Sequence, residues 1–248
     1  MKGRGMETRL SGKVLILTGA GGGIGRAVAE KLAGHGMKTV LLGGKNERKL
    51  DETRAAVEKC APCLALPGDL TDPGFIASGV AEAVRTFGGI DVLINNAGAA
   101  QSTPFSKVSL AEFDRLMAIN VRAPFCLTQA CLEHLRRSAE PSIVNICSVV
   151  AHAGYPLQSI YAASKHALLG MTKSLAREYY EENIRVHAIC PGGVYTDMVK
   201  LSRPDLGPEG MIMPEEIADI VEFLLLRRGS AVIDEILVHR VNKEPFLV

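Results

Sequence analysis

Short apolar runs recur along the chain at 14–18, 39–42, 63–66, 92–94, 143–147, 186–189 and 233–238, each of strand length and several rich in Val and Ile. Between them lie longer stretches with helical spacing, at roughly 24–35, 46–58, 73–87, 109–137, 159–182 and 214–226, so strand and helix alternate from end to end. That alternation predicts an α/β fold: a single doubly wound, seven-stranded parallel sheet with helices on both faces. Local signals support the boundaries. Ser109-Leu110-Ala111-Glu112 reads as a capping box, and Pro214 followed by Glu215 and Glu216 suits a first helical turn. With no internal repeat or interdomain linker, residues 11–248 read as one domain behind a flexible N-terminal arm, 1–10.

Composition narrows the class. A formal net charge of +1 offers no electrostatic footprint for nucleic acid, and 47% hydrophobic residues exclude a disordered chain. The arm carries Lys2, Arg4 and Arg9 but no apolar core of signal-peptide length, and no later run approaches a membrane span, so a cytoplasmic protein without a membrane partner is expected. The six cysteines sit mostly in apolar segments and read as reduced thiols. Cys60-Ala61-Pro62-Cys63 has redox-motif spacing but reads as a helix end running into a strand; no second Cys or His pair accompanies it, and no metal site is expected.

Chemistry concentrates where strands end. Residues 18–25, Thr-Gly-Ala-Gly-Gly-Gly-Ile-Gly, join the first strand to the first helix, where glycines allow a tight turn and close approach of backbone to phosphate, and the helix start supplies free N–H groups. Among the five tyrosines only Tyr161 has a lysine four residues on. On a helix Lys165 then shares its face at about 5–6 Å, close enough to favour the phenolate and make Tyr161 a proton donor and acceptor. Asn120 lies mid-helix four residues before Pro124, which lacks the N–H that would bond the Asn120 carbonyl. That freed carbonyl is expected to hold a water linking Lys165 to solvent. Gly19, Lys45, Asp69, Asn95, Ser148 and Pro191 each follow a strand at its carboxyl end, where open parallel sheets bind ligands, which predicts one continuous site.

The spacing Gly19-x3-Gly23-x-Gly25, Asn95-Asn96-Ala97-Gly98, Ser148 thirteen residues before Tyr161, and the Tyr161/Lys165 pair together resemble the short-chain dehydrogenase/reductase family over roughly residues 10–226. The resemblance implies a Rossmann fold and a catalytic set of Asn120, Ser148, Tyr161 and Lys165, with Ser148 holding the substrate oxygen. It implies cofactor contacts from Thr18, Gly19, Gly21, Gly22, Gly23, Ile24, Gly25, Lys45, Asn46, Asp69, Leu70, Asn96, Ala97, Gly98, Tyr161, Lys165, Pro191, Gly192, Val194 and Thr196. The acid that usually binds a ribose 2′-OH after strand two is absent, since Leu42 leads into Gly43-Gly44-Lys45-Asn46. Aligned with the family, Gly44 takes the aspartate position and Lys45 meets a 2′-phosphate, which favours NADP(H), with NAD as the alternative. Against this, Gly22 stands where many NADP-using members carry a basic residue.

The implied reaction is hydride transfer between nicotinamide and a small or medium carbonyl or alcohol, by a homodimer or homotetramer. Segments 99–104, 149–158 and 197–213 are expected to line the substrate pocket. Residues 230–238 lack the glycine-flanked entry and Asp-Gly-Gly of many members, which counts against the alternative of a 3-oxoacyl-thioester (acyl-carrier-protein type) reductase. A catalytically idle NAD(P)-binding sensor or scaffold is the other alternative.

Overall fold

The computed structural model describes residues 9–44, 46–202 and 207–244. Seven strands, β1 (Val14–Thr18), β2 (Lys38–Leu42), β3 (Cys63–Leu66), β4 (Val92–Asn95), β5 (Ser142–Ile146), β6 (Arg185–Pro191) and β7 (Glu235–Val238), pair in the order β3-β2-β1-β4-β5-β6-β7, every pair parallel. Parallel strands need crossovers, supplied by α1 (Gly23–Ala33), α2 (Glu47–Val57), α3 (Pro73–Phe87), α4 (Leu110–Met117), α5 (Ala123–Leu135), α6 (Ser159–Glu178) and α8 (Pro214–Leu226); the short α7 (Asp197–Ser202) lies just after β6. The order in which successive strands are added reverses between β1 and β4, so a crevice opens at their carboxyl ends.

The sheet is covered on both faces, which is why its strands read as continuous apolar runs. In β1, Leu15 and Leu17 enter the core beneath α1 and α8, while Ile16 enters the opposite core with residues of α3 and α5. Leu10 belongs to the first of these cores at 1% exposure, and Arg9 pairs with Glu140. No helix of the described residues is long and apolar enough to cross a membrane.

The single helix expected over 109–137 is three pieces. Ala118–Arg122 between α4 and α5 is a π turn, in which the Ala123 N–H bonds the Ala118 carbonyl. Pro124, at the first turn of α5, supplies the cause: without an N–H it cannot close the bond to Asn120, and the ladder slips by one residue. The Ser109 hydroxyl accepts from the Glu112 N–H as expected, but Glu112 turns to Thr103 instead of completing the box. At α8 Glu216 accepts from the Met213 N–H at 2.6 Å and its own N–H bonds the Met213 carbonyl. α7, six residues long, is too short to print a helical period in the sequence. Cys60 lies between α2 and β3 and Cys63 opens β3, where burial pushes its thiol up to about 12, away from the reactive thiolate.

Candidate active site

The glycine loop is shaped at Gly19 and Gly25 by contacts that leave no room for side chains. A Cβ at Gly25 would stand 2.3 Å from the Gly19 carbonyl oxygen, and one at Gly19, whose φ is 70°, would stand 2.8 Å from the Ala97 Cα. The loop is anchored from β4. Thr18 Oγ1 accepts from the N–H groups of Asn96 and Ala97 at 3.1 and 3.0 Å, and Asn96 Nδ2 donates to the carbonyls of Thr18 and Gly19. α1 then begins with no side-chain cap and no acid in its first turn, so its N–H groups and positive dipole face the cleft.

α6 brings Tyr161 and Lys165 to the same cleft from successive turns. Lys165 is buried, its Nζ donating to the Ile146 carbonyl at 2.8 Å and standing 5.9 Å from the centre of the Tyr161 ring. Ser148 follows β5; its hydroxyl accepts from the Val150 N–H at 3.3 Å and donates to the Pro191 carbonyl at 3.4 Å. Gly19, Gly21, Gly22, Gly23, Ile24, Asn46, Asn96, Ala97, Gly98, Ser148, Tyr161, Lys165, Pro191, Gly192, Val194 and Thr196 all line one cleft of about 390 Å³, within the range of small-molecule sites.

Other residues read from the sequence stand behind that lining. Thr18 is a buried clamp, as above. The side chain of Asn120 is sunk in a bracing role: Oδ1 accepts from the Ala99 N–H, and Nδ2 donates to the Ala99 carbonyl and to Ser164 Oγ, tying the loop after β4 to α6. Asp69 accepts from the Thr71 N–H and hydroxyl, and Leu70 packs into the core below Gly43. Lys45 and residues 203–206 lie outside the described residues. Of the segments expected around the substrate, Ala99 and the stretch from Asp197 to Val199 reach the cleft.

Three features escaped the sequence. Gln101, buried in the loop after β4, caps α6: its Oε1 accepts from the N–H groups of Ile160 and Tyr161 at 2.8 and 3.2 Å. Asn95, Asn145 and Thr172 form a buried polar chain across β4, β5 and α6, with links of 2.8 Å. Lys49 lines the cleft and joins Asp197 at 2.6 Å across its mouth; that ammonium holds the Asp197 carboxyl below the usual carboxylate range. Asn46, which caps α2 through the Lys49 N–H, was the nearest available signal for Lys49.

The glycine cradle and the uncapped, acid-free start of α1 fit the pyrophosphate of a dinucleotide. Residues 13–207 match the family model described as short chain dehydrogenase. The levodione reductase of Leifsonia aquatica is 35% identical over 91% of this chain and 91% of its own. The 3-oxoacyl-acyl-carrier-protein reductase of Aquifex aeolicus is 34% identical over 94% and 97%, and the 3alpha-hydroxysteroid dehydrogenase of Mediterraneibacter gnavus 36% identical over the same shares. The crystal structure of levodione reductase superposes with a TM-score of 0.84 at 33% identity, covering 93% of this chain and 96% of that chain.

Proposed function

The chain belongs to the short chain dehydrogenase family of oxidoreductases acting on CH–OH and C=O groups, and from that premise we propose that it is an NADP(H)-dependent carbonyl reductase or alcohol dehydrogenase with Tyr161 as its acid and base. The observation that carries the reading is the convergence of Ser148, Tyr161 and Lys165 on the cleft that also holds the open end of α1. When bound, the nicotinamide supplies or accepts the hydride.

The chain's own groups handle the oxygen. In reduction the Tyr161 phenol gives its proton to the substrate oxygen while the Ser148 hydroxyl donates a hydrogen bond to it; in oxidation the phenolate takes the proton back. The Lys165 ammonium, held by the Ile146 carbonyl, stands beside the Tyr161 ring and lines the same cleft. The main-chain carbonyl of Asn120 completes the reading by holding a water between Lys165 and solvent.

Lys45 is the cation assigned to a 2′-phosphate, and Lys49 adds a second one at the cleft wall. The outer surface of α4 and α5, with Leu110 and Phe125 exposed, supports a homodimer or homotetramer, which a solution mass of two or four times 26.5 kDa would meet.

The test is a panel of cyclic ketones, secondary alcohols and 3-oxoacyl thioesters followed by NADPH and NADH absorbance. Turnover is expected with NADPH, and Tyr161→Phe should cost about 10²–10⁴ in kcat with an unchanged melting temperature. Full activity in that variant overturns the mechanism, and cofactor binding without turnover on any substrate favours the idle sensor. Lys45→Ala and Lys49→Ala should each weaken NADPH and spare NADH; NADPH affinity unchanged in both removes the NADP assignment.

A further inference from the structure

On the flank of the sheet away from the glycine loop, three elements bring together donors that hydride chemistry does not use. His152 ends the 3₁₀ turn after Ser148, Cys190 lies on β6, and Glu235 opens β7. Imidazole nitrogen, thiol sulfur and carboxylate oxygen all lie within 4.8 Å of one another. His152 Nε2 bonds the Glu235 carboxylate, and the Cys190 thiol donates to Glu235 Oε1 at 3.4 Å.

An ion pair would need only the imidazole and the carboxylate. The fully buried Cys190 thiol, which also lies in hydrogen-bond contact with Cys147, is directed at that same carboxylate and is a third donor with no part in such a pair. Around a tetrahedral zinc ion, with bonds of about 2.0–2.3 Å, neighbouring ligand atoms stand about 3.3–3.8 Å apart, a spacing the thiol and carboxylate already have.

We propose that His152, Cys190 and Glu235 form a site for a zinc-like divalent cation, with water in the fourth position. The mixed nitrogen, sulfur and oxygen set suits a borderline ion over magnesium or calcium. Binding displaces the thiol proton to solvent; thiolate and carboxylate then balance the two positive charges. Side-chain exposures of 26% for His152 and 20% for Glu235 give water access. Lys173, 3.5 Å from Glu235 Oε2, orients the carboxylate from behind, the outer support that metal ligands require. Occupancy would fasten the turn after Ser148 to the last strand of the sheet. The sequence could not display this set, because His152 and Glu235 are 83 residues apart.

The experiment reads metal binding and is independent of turnover. Chelator-stripped protein is titrated with Zn²⁺ by calorimetry and with Co²⁺ by absorbance. One ion per chain is expected, with a thiolate-to-cobalt charge-transfer band. Affinity should fall about tenfold or more in His152→Ala and in Glu235→Gln. The band should vanish in Cys190→Ser and persist in Cys60→Ser. Absence of the band, its loss in Cys60→Ser, or equal affinity in wild type and His152→Ala overturns the proposal. If Cys190→Ser does not fold, the two variants at partly exposed side chains still decide it.

Discussion

At the scale of single residues, two glycines of one loop make opposite demands. A methyl group at Gly25 would meet the Gly19 carbonyl oxygen at 2.3 Å and Asn96 Nδ2 at 2.6 Å, the two groups that hold the loop to β4, whereas a Cβ at Gly22 meets nothing within 4 Å. Gly22 also has an extended φ of 170°, open to any residue. Gly25→Ala is therefore expected to cost about 1–3 kcal/mol, as overpacking does, and to weaken dinucleotide binding about tenfold or more. Gly22→Ala should leave the melting temperature unchanged. Equal melting temperatures for the two variants would reject this account of the loop. The pair Tyr161 and Lys165 was legible because four residues of helix bring two side chains to one face, a rule that needs only local spacing. Lys49 was not, because its partner Asp197 is 148 residues away and nothing local to either names the other.

At the scale of elements, the reaction geometry depends on how α6 begins. Its N-cap residue, Gln158, makes no side-chain cap, and the free N–H groups of Ile160 and Tyr161 are met instead by Gln101, 59 residues earlier. Gln101→Leu removes that acceptor from a buried helix end and should lower stability by about 1 kcal/mol. Because Tyr161 sits in the capped turn, kcat should fall more than KM rises, and Gln101→Glu, which keeps the acceptor and suits the positive end of the helix, should restore both. Loss of stability with kcat untouched would make Gln101 a structural cap only. Strands were legible because burial on both faces writes continuous apolar runs, and most helices because their apolar positions recur with helical spacing. The π turn at Ala118–Arg122 was foreshadowed by Pro124, but a missing N–H alone does not say whether a helix kinks or slips by one residue.

For the whole molecule, a sheet sealed on both faces must accommodate every polar group it encloses. Asn145 does so through Asn95 and Thr172, while Asn95 Oδ1 has no partner among the described residues; His187 on β6 also does so only in part. It is 2% exposed; its Nδ1 donates to the Ile233 carbonyl at 2.6 Å, while Nε2 has no partner among the described residues. Burial lowers its pKa, the bond to Ile233 and the charge of Asp234 oppose that, and Arg185 and Arg228 add to it. The unfolded chain takes up the proton near pH 6.5, before the folded one does. Stability from this group is therefore complete above about pH 7 and is lost as pH falls through 6.5 toward the lower folded value. Thermal melts at pH 7.5 and 5.5 should show wild type losing more than His187→Asn, whose Nδ2 takes the place of the ring Nδ1 and can still donate to Ile233 but does not titrate. A wild-type-to-variant difference that stays constant between the two pH values would mean that this histidine takes no part in the acid sensitivity of the fold.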